Sequence, residues 1–285
     1  MSLLLPVKLK NVLPLLPIAL LMLARPVSGQ DIAMIHCEGK CPQYASDVQK
    51  ARANIVVHHV FAAGMNNDTG LADWVAYRIT KEAVGVASLL PRSWEPDRLV
   101  KFADAAEPVD VNSTVFSLSE IASVNSPYGG GQELAGEKEF RARLAPITSF
   151  ANTPYWSDLN NLTNMVPMPN ELRLGAWLQL EQALNELVAT EDELFVVSGP
   201  LFLINQPLTT LATAGVDMTP AAYYKVIASK SGFAAFVFPE NLPQHVSFCK
   251  QEGQLDQIER MTGLVMFPER DFGESSRLLA ALGCH

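Results

Sequence analysis

The amino-acid sequence predicts an α+β fold, in which helices and strands occupy separate stretches of the chain. Strand-like patterning occurs at residues 54–62, 74–80, 193–202, 223–229 and 233–238, whereas the clearest helical spacing of apolar residues lies at 175–188. Because these segments do not alternate strictly, they favour an α+β arrangement over a doubly wound α/β sheet.

The first two predicted strands form a pair and precede a long loop-rich segment. Residues 54–62 (NIVVHHVFA) are β-rich, a turn signal follows at 64–68 (GMNND), and 74–80 (WVAYRIT) alternates again. Residues 84–138 contain four prolines and a run of three glycines at 129–131. That run lacks the Gly-Lys-Ser/Thr sequence of a phosphate-binding loop, so we interpret the whole segment as a surface excursion.

The central helix carries a carboxylate beside its apolar stripe. In residues 175–188 one face is formed by Trp177, Leu180, Leu184, Leu187 and Val188, and Glu181 lies next to it. A carboxylate there is costly unless it is paired, bound to a metal or able to reach water, and all of these remain open. Beyond the strand at 193–202, the sequence predicts a hairpin across 230–232 and a short helix at 255–262.

The charge balance argues against a broad basic surface. The chain has 21 Lys and Arg and 30 Asp and Glu, for a formal net charge of −9. The first 29 residues contain three basic residues and no acidic one, so the remainder has 18 basic against 30 acidic residues, a net charge of −12. Avid non-specific binding to nucleic acid depends on many Lys and Arg contacts to phosphates. A local basic pocket remains compatible with this composition.

The N-terminus has the pattern of a secretory signal peptide. Lys8 and Lys10 precede an apolar run at 12–24, and small residues end the segment near residue 29. Pro14 and Pro17 interrupt a run that is already short for a membrane span, although a retained anchor is the alternative. We therefore predict a signal peptide at 1–29, a single domain at 30–285, a secreted or periplasmic location and no stable membrane association.

The four cysteines fit an oxidising compartment. Cys37 and Cys41 are close in sequence, Cys249 and Cys284 lie far downstream, and three pairings are possible, of which local pairing is the simplest. The alternative is a zinc site, for which the candidate ligands are His36, Cys37, Cys41 and either His58 or His59.

Eight segments in order resemble the DNA/RNA non-specific endonuclease family, the ββα-metal nucleases, and specifically its secreted bacterial branch. They are residues 37–42 (CEGKCP), His59 with 74–80 (WVAYRIT), 144–146 (LAP), 159–164 (LNNLTN), 175–177 (GAW) with Glu181, 198–201 (SGPL), 224–227 (YKVI) and 258–264 (IERMTGL). The resemblance implies a central antiparallel sheet flanked by helices. It also implies the local disulfides Cys37–Cys41 and Cys249–Cys284.

The resemblance implies a definite chemistry. The family cuts phosphodiesters with a single Mg²⁺, and the His of its Asp-Arg-Gly-His motif acts as the general base on water. An Asn further along the chain holds the metal, and a helical Glu orients a metal-bound water. A general base must lose its proton near the working pH, and Mg²⁺ requires oxygen ligands.

In this sequence the motif is replaced. Its four positions are 140–143 (FRAR), which places Arg143 at the general-base position and retains Arg141, while Arg173 stands at the metal-ligand position. A guanidinium stays protonated and has no acceptor. For a cation facing Mg²⁺ at about 4 Å with an effective dielectric near 20, the repulsion is roughly 8 kcal/mol before screening. Metal binding at Arg173 is therefore disfavoured in an unchanged geometry, and Glu181 would hold a metal only through water.

Three functions follow as hypotheses. The first is an exported family member that binds nucleic acid or another phosphate-bearing anion, with hydrolysis lost or weakened. Its phosphate-binding candidates are Arg141, Arg143, Arg173 and His58. Mg²⁺ would be a cofactor only if the protein were active, and the sequence identifies no protein partner.

Two alternatives remain open. An active nuclease with a rearranged site would use His58 as the base, while Glu181, Asn160 and Asn164, which keep polar positions near the site, would hold a displaced metal. A non-catalytic structural or protein-interaction module would instead close the old site with an Arg173–Glu181 ion pair.

Overall fold

A six-stranded antiparallel sheet forms the centre of the molecule. A computed structural model describes residues 34–66, 70–95, 97–99, 141–202, 220–270 and 276–284, all within the compact unit Ile32–His285. The strands are β1 (Gln43–Tyr44), β2 (Ala53–Val57), β3 (Ala62–Asn66), β4 (Ala72–Thr80), β5 (Arg141–Arg143), β6 (Met165–Pro167), β7 (Glu193–Leu201), β8 (Ala222–Ser229), β9 (Gly232–Pro239) and β10 (Leu264–Val265). The large sheet has the order β2-β3-β4-β7-β8-β9, and β1–β10 and β5–β6 form two small antiparallel pairs.

Helices cover the sheet. They are α1 (Asp47–Ala51), α2 (Asn170–Arg173), α3 (Ala176–Glu191), α4 (Leu255–Thr262) and α5 (Ser276–Ala281), with short 3-10 helices at Ile147–Ser149, Trp156–Asn160, Leu162–Asn164 and Phe248–Gln251. Gly175 precedes α3 where the chain is crowded, since a Cβ there would lie 2.5 Å from the Glu171 carbonyl oxygen. Only glycine allows this close approach, which fixes where α3 begins.

Both faces of the sheet are buried. The predicted stripe of α3 packs into a large apolar cluster on one face. On the other face Ile258 of α4 packs with Trp74 and Tyr224. Because every residue of β8 is buried, a charged side chain on that strand must be paired inside the protein.

The α+β prediction and the antiparallel sheet are confirmed, and the helices at 175–188 and 255–262 and the hairpin at 223–238 are found close to their predicted bounds. The single strand predicted at 54–62 is wrong, because the chain reverses there between β2 and β3 and the His58 N–H donates to the Phe61 carbonyl at 2.8 Å. Gly64 lies within β3 rather than in a turn. A larger residue does not fit at this position, because a Cβ atom there would lie 2.2 Å from Trp74 Nε1.

Both local disulfides, Cys37–Cys41 and Cys249–Cys284, are present and no cysteine is free. The alternative zinc site is therefore wrong, since disulfide sulfurs supply no thiolate ligands. The predicted signal peptide and the three glycines at 129–131 lie outside the described residues. Within the described ranges, no helix has both the length and the apolar character needed to cross a bilayer.

Candidate functional site: an arginine cleft beside a histidine pocket

Four arginines and one glutamate line a cleft of about 240 Å³, which we call the arginine cleft: Arg92, Arg141, Arg143, Arg173 and Glu181. The short β5–β6 ladder places two of them, and the others come from α2, α3 and the loop before residue 95. The structure therefore brings together the four cleft residues that the sequence analysis singled out. It adds Arg92, an exposed loop residue that no sequence motif marks.

Arg143 is anchored by three acceptors. Its Nη2 donates to Asn160 Oδ1 at 2.6 Å and to the Ser93 carbonyl at 3.4 Å, and its Nε donates to the Leu159 carbonyl at 3.2 Å. Burial, followed by the nearby charge of Arg92, lowers the pKa of Arg143 to about 10. The group is still a cation at neutral pH, so it donates hydrogen bonds and does not accept a proton.

The other two predicted arginines are held differently. Arg141 is buried, and its guanidinium carbon lies 4.1 Å from the centroid of the Trp94 ring, a cation–π contact. Arg173 donates from Nε and Nη2 to Asn170 Oδ1 at 3.2 and 2.6 Å, one turn back on α2. The Trp94 ring and the Asn170 side-chain amide thus help to orient these two guanidinium groups.

Glu181 is paired with Lys225, a residue that the sequence analysis did not single out. Lys225 is fully buried in β8, and its Nζ lies 3.2 Å from Glu181 Oε1, 3.3 Å from the Tyr77 hydroxyl and 3.9 Å from the Trp177 ring centroid. Glu181 thus pairs with Lys225 of β8 and not, as expected, with Arg173. Burial raises the pKa of Glu181, and the Lys225 charge opposes this. The sequence feature that could have identified Lys225 is a single lysine within a mostly apolar strand, because a lysine is rarely buried unless it is paired.

The two asparagines anchor the backbone around the cleft. Asn164 is fully buried; its Oδ1 accepts from the Ala145 N–H at 2.8 Å and its Nδ2 donates to the Ala145 carbonyl at 2.9 Å. Asn160 Oδ1 accepts from Arg143, while its Nδ2 donates to the Pro91 carbonyl at 3.3 Å. Both side-chain amides are therefore engaged in holding the loops that carry the arginines.

His58 lies outside the arginine cleft. It belongs to a neighbouring cavity of about 450 Å³, which we call the histidine pocket, lined chiefly by His58, His59, Glu95, Asp97 and Asp158. The His58 side chain is only 6% exposed, and its Nε2 lies 2.6 Å from Asp97 Oδ2. The structure therefore places this predicted phosphate contact in another cavity.

Asp97 is the best-satisfied carboxylate of the histidine pocket. Besides His58, it accepts from Thr163 Oγ1 at 2.5 Å and from the Leu99 N–H at 2.9 Å. Burial by itself raises the pKa of Asp97, but these hydrogen bonds outweigh it, so the pKa lies below its usual value. The carboxylate is thus held ionised by three donors.

His59 forms the rim of the histidine pocket. Its side chain is 62% exposed, its Nδ1 lies 2.9 Å from Asp158 Oδ2, and its ring stacks on Tyr155 at 4.1 Å between centroids. The same Asp158 oxygen accepts from the His59 N–H at 3.0 Å, which satisfies the backbone of the β2–β3 turn.

Comparisons with known proteins agree with this architecture. A family model of DNA/RNA non-specific endonucleases matches residues 43–271. The nuclease of Serratia marcescens is 31% identical over 263 residues, which covers 89% of this chain and 88% of that protein. The chain belongs to the DNA/RNA non-specific endonuclease family.

More distant relatives of this family member match shorter regions or the fold alone. The mitochondrial nuclease EXOG of Xenopus laevis is 30% identical over 162 residues, covering 49% of this chain and 44% of that protein. A solved structure of EndoG in complex with EndoGI aligns with a TM-score of 0.55 at 17% identity, over 76% of this chain and 86% of that one. This last likeness concerns the fold.

The residues of this family member do not fit the Mg²⁺ that its relatives' motif implies. The described lining of the arginine cleft offers guanidinium donors and one carboxylate, Glu181, which is already paired with Lys225. Across the described ranges, no cluster of three or more His, Cys, Asp or Glu side chains is arranged to hold a metal ion. Mg²⁺ requires several oxygen ligands, and four cations oppose its approach.

Proposed function

We propose that this endonuclease-family protein binds nucleic acid or another phosphate-bearing anion in its arginine cleft, and that its metal-dependent phosphodiester hydrolysis is lost or severely weakened. One observation carries the proposal: Arg143 and Arg173 line the cleft at the positions where the family motif has its general base and metal ligand. Guanidinium groups bind phosphate oxygens in a planar fork but do not accept protons.

The environment of Glu181 supports the same proposal. In the family, the helical Glu acts through a metal-bound water, whereas here the carboxylate faces the buried ammonium of Lys225. That pair neutralises the one carboxylate among the described lining residues of the cleft. The cleft keeps the recognition part of the family's chemistry without the groups that activate water.

We also infer that the protein is exported to the periplasm or the medium. The basic and apolar N-terminal segment supports this, together with the two disulfides, because such bonds persist in oxidising compartments.

The first test measures cleavage and binding separately. Plasmid DNA and RNA are incubated with the purified mature protein in Mg²⁺, Mn²⁺ or EDTA, and binding of a labelled oligonucleotide is followed by fluorescence anisotropy in EDTA. We expect no cleavage, and binding that weakens as salt rises, because phosphate contacts release counterions.

Each alternative function has its own outcome. Cleavage that EDTA abolishes would overturn the proposal and favour the rearranged site, in which case His58→Ala should abolish the activity. Absence of binding at low salt would also overturn it, and would favour the structural or protein-interaction module.

A second test restores the family residues. The double variant Arg143→His with Arg173→Asn is expected to gain Mg²⁺-dependent cleavage, since it regains a proton acceptor and an oxygen ligand. The matched control is Arg143→Lys with Arg173→Lys, which keeps both charges and should stay inactive. Circular dichroism and thermal melting confirm that each variant is folded, and a folded His/Asn variant without any cleavage would contradict the assignment of these two positions.

A further inference from the structure

The arginine cleft and the histidine pocket share a wall. Arg143, on the cleft side, donates to the Asn160 side chain, while the main-chain carbonyl of Asn160 accepts from the Glu95 N–H at 2.9 Å. Glu95 in turn pairs with Asn161 in an isolated β-bridge, and both residues line the histidine pocket. An extended ligand that leaves the cleft over this wall enters the histidine pocket.

The described lining residues on the two sides of that wall differ in charge. Those of the cleft include four guanidinium groups and one carboxylate, Glu181, which faces Lys225. The described lining of the histidine pocket includes the carboxylates Glu95, Asp97 and Asp158, one guanidinium group, Arg98, and the two histidines. A polynucleotide carries a negative charge at every nucleotide, so a chain that crosses the wall moves from attraction to repulsion.

The cleft is also small. Glu181 and the buried Trp177 side chain form part of its described wall, with the fully buried Lys225 behind them, and the volume of the cleft is about 240 Å³. Such a site suits a compact group of high charge.

A phosphomonoester is such a group. Near neutral pH it carries a charge of about −1.5 to −2 and three strong acceptor oxygens, whereas an internal phosphodiester carries a single charge. Four guanidinium groups gathered in one small cleft match the larger charge and the additional acceptor.

Resting on the proposed function, we propose that the arginine cleft recognises the terminal phosphomonoester of a nucleotide or an oligonucleotide end in preference to an internal phosphodiester. The arginines are the recognition groups. The acidic histidine pocket acts as the specificity element that disfavours continuation of the chain.

The test compares two short single-stranded oligonucleotides of one sequence, which differ only in a 5′-phosphate or a 5′-hydroxyl. Dissociation constants are measured by fluorescence anisotropy in EDTA, with a 3′-phosphorylated oligonucleotide, a nucleoside monophosphate and inorganic phosphate as competitors to identify which source of phosphomonoester binds. At about pH 7.5 we expect the phosphorylated form to bind about tenfold more tightly or better, since charge-assisted hydrogen bonds are added.

The pH dependence provides an independent readout. The second ionisation of a phosphomonoester lies at about pH 6, so the preference should shrink towards unity at about pH 5. Guanidinium groups remain charged over this range, and even the lowered pKa of Arg143 is about 10. The charged and titratable groups of the protein near the ligand, among them Glu181, Lys225, His58 and His59, are the same for both oligonucleotides, so the ratio of the two dissociation constants isolates the ligand.

Variants test separately the role of the cleft arginines and the role of the acidic histidine pocket. Arg92→Gln alters an exposed residue and should reduce the preference severalfold without affecting folding, and Arg173→Gln should reduce it as well. The control is Arg260→Gln, an exposed residue of α4 on the other face of the sheet, which should change nothing. Glu95→Gln should strengthen binding of the 5′-hydroxyl oligonucleotide and so narrow the preference.

The outcomes separate this inference from the proposed function. Equal affinity for the two oligonucleotides overturns the inference and leaves the proposed nucleic-acid binding standing. If neither oligonucleotide binds at low salt, both are overturned. A preference that survives Arg92→Gln and Arg173→Gln unchanged places the phosphate elsewhere and overturns the inference.

Discussion

The arginine cleft and the histidine pocket lie on two sides of one wall, yet they are built from opposite charges. The cleft holds guanidinium groups that keep their protons, and the pocket holds His58 against the carboxylate of Asp97 at 2.6 Å. The cleft arginines and the His58–Asp97 pair thus occupy different cavities. The comparison teaches that one fold can hold a cluster of cationic donors and a buried histidine–carboxylate pair in two adjoining cavities.

The two cavities also stabilise buried charge in different ways. In the cleft, the carboxylate of Glu181 is balanced by one buried ammonium, that of Lys225. In the pocket, the carboxylate of Asp97 is balanced by several hydrogen-bond donors, among them Thr163. A full counter-charge in a buried site is costly to remove, whereas one donor among several is less so.

The largest expected effect comes from removing the counter-charge of the cleft. Lys225→Met keeps an unbranched side chain of similar size but leaves Glu181 without its cation in a buried site. We expect the free energy of unfolding to fall by about 3–5 kcal/mol, as measured by urea denaturation.

Two matched variants sharpen this prediction. Lys230→Met breaks an exposed ion pair with Asp192 and should leave stability unchanged within error. Adding Glu181→Gln to Lys225→Met should recover part of the loss, because the buried charge is then gone. A loss from Lys225→Met no greater than that from Lys230→Met would contradict the role of Lys225 as the counter-charge of a buried carboxylate.

A smaller effect is expected in the histidine pocket. Asp97→Asn keeps the shape of the side chain but removes the charge that three donors stabilise, so we expect a loss of about 1–3 kcal/mol at neutral pH. The pKa of Asp97 is lower in the folded protein than in the unfolded chain, so its stabilising contribution is present above about pH 4 and disappears as pH falls through the folded-state pKa. Thermal melting of both proteins between neutral and acidic pH measures this, and a deficit that grows on acidification would contradict it.

The smallest effect is expected at the rim of the pocket. His59→Ala removes an exposed ring and its contacts with Asp158 and Tyr155. Because these contacts lie at the surface, the change in the free energy of unfolding should stay within about 0.5 kcal/mol. Chemical denaturation checks this, and a loss as large as that of Asp97→Asn would show that the rim, and not only the buried carboxylate, holds the pocket together.

Much of the fold could be predicted from local patterns. The apolar stripe of α3 and the β8–β9 hairpin have periodicities that local sequence reports directly. The turn between β2 and β3 could not be found in this way, since the His59 N–H within it donates to Asp158, far away in the sequence. A β-rich run of residues does not reveal a reversal that a distant side chain stabilises.

The order of the motif segments predicts which residues form the candidate site, but it does not predict which side chain pairs with Glu181. The motif positions single out Arg143, Arg173 and Glu181, and these three residues line one cleft in the structure. They did not identify Lys225, which reaches the cleft from the sheet beneath it, or Arg92, which comes from a loop without a motif. Which of two cations pairs with a carboxylate depends on three-dimensional distances that spacing along the chain does not encode.

Two of the four tryptophans make the cleft visible to spectroscopy. Trp94 stacks beneath the guanidinium of Arg141, and the ring of Trp177 lies 3.9 Å from the ammonium of Lys225. Indole emission responds to the electric field of nearby charges, so an anion arriving among the arginines changes the field at both rings at once. The intrinsic tryptophan fluorescence of the unmodified protein therefore reports whether an anion occupies the cleft. Ligands can be screened in this way without attaching a label to either partner.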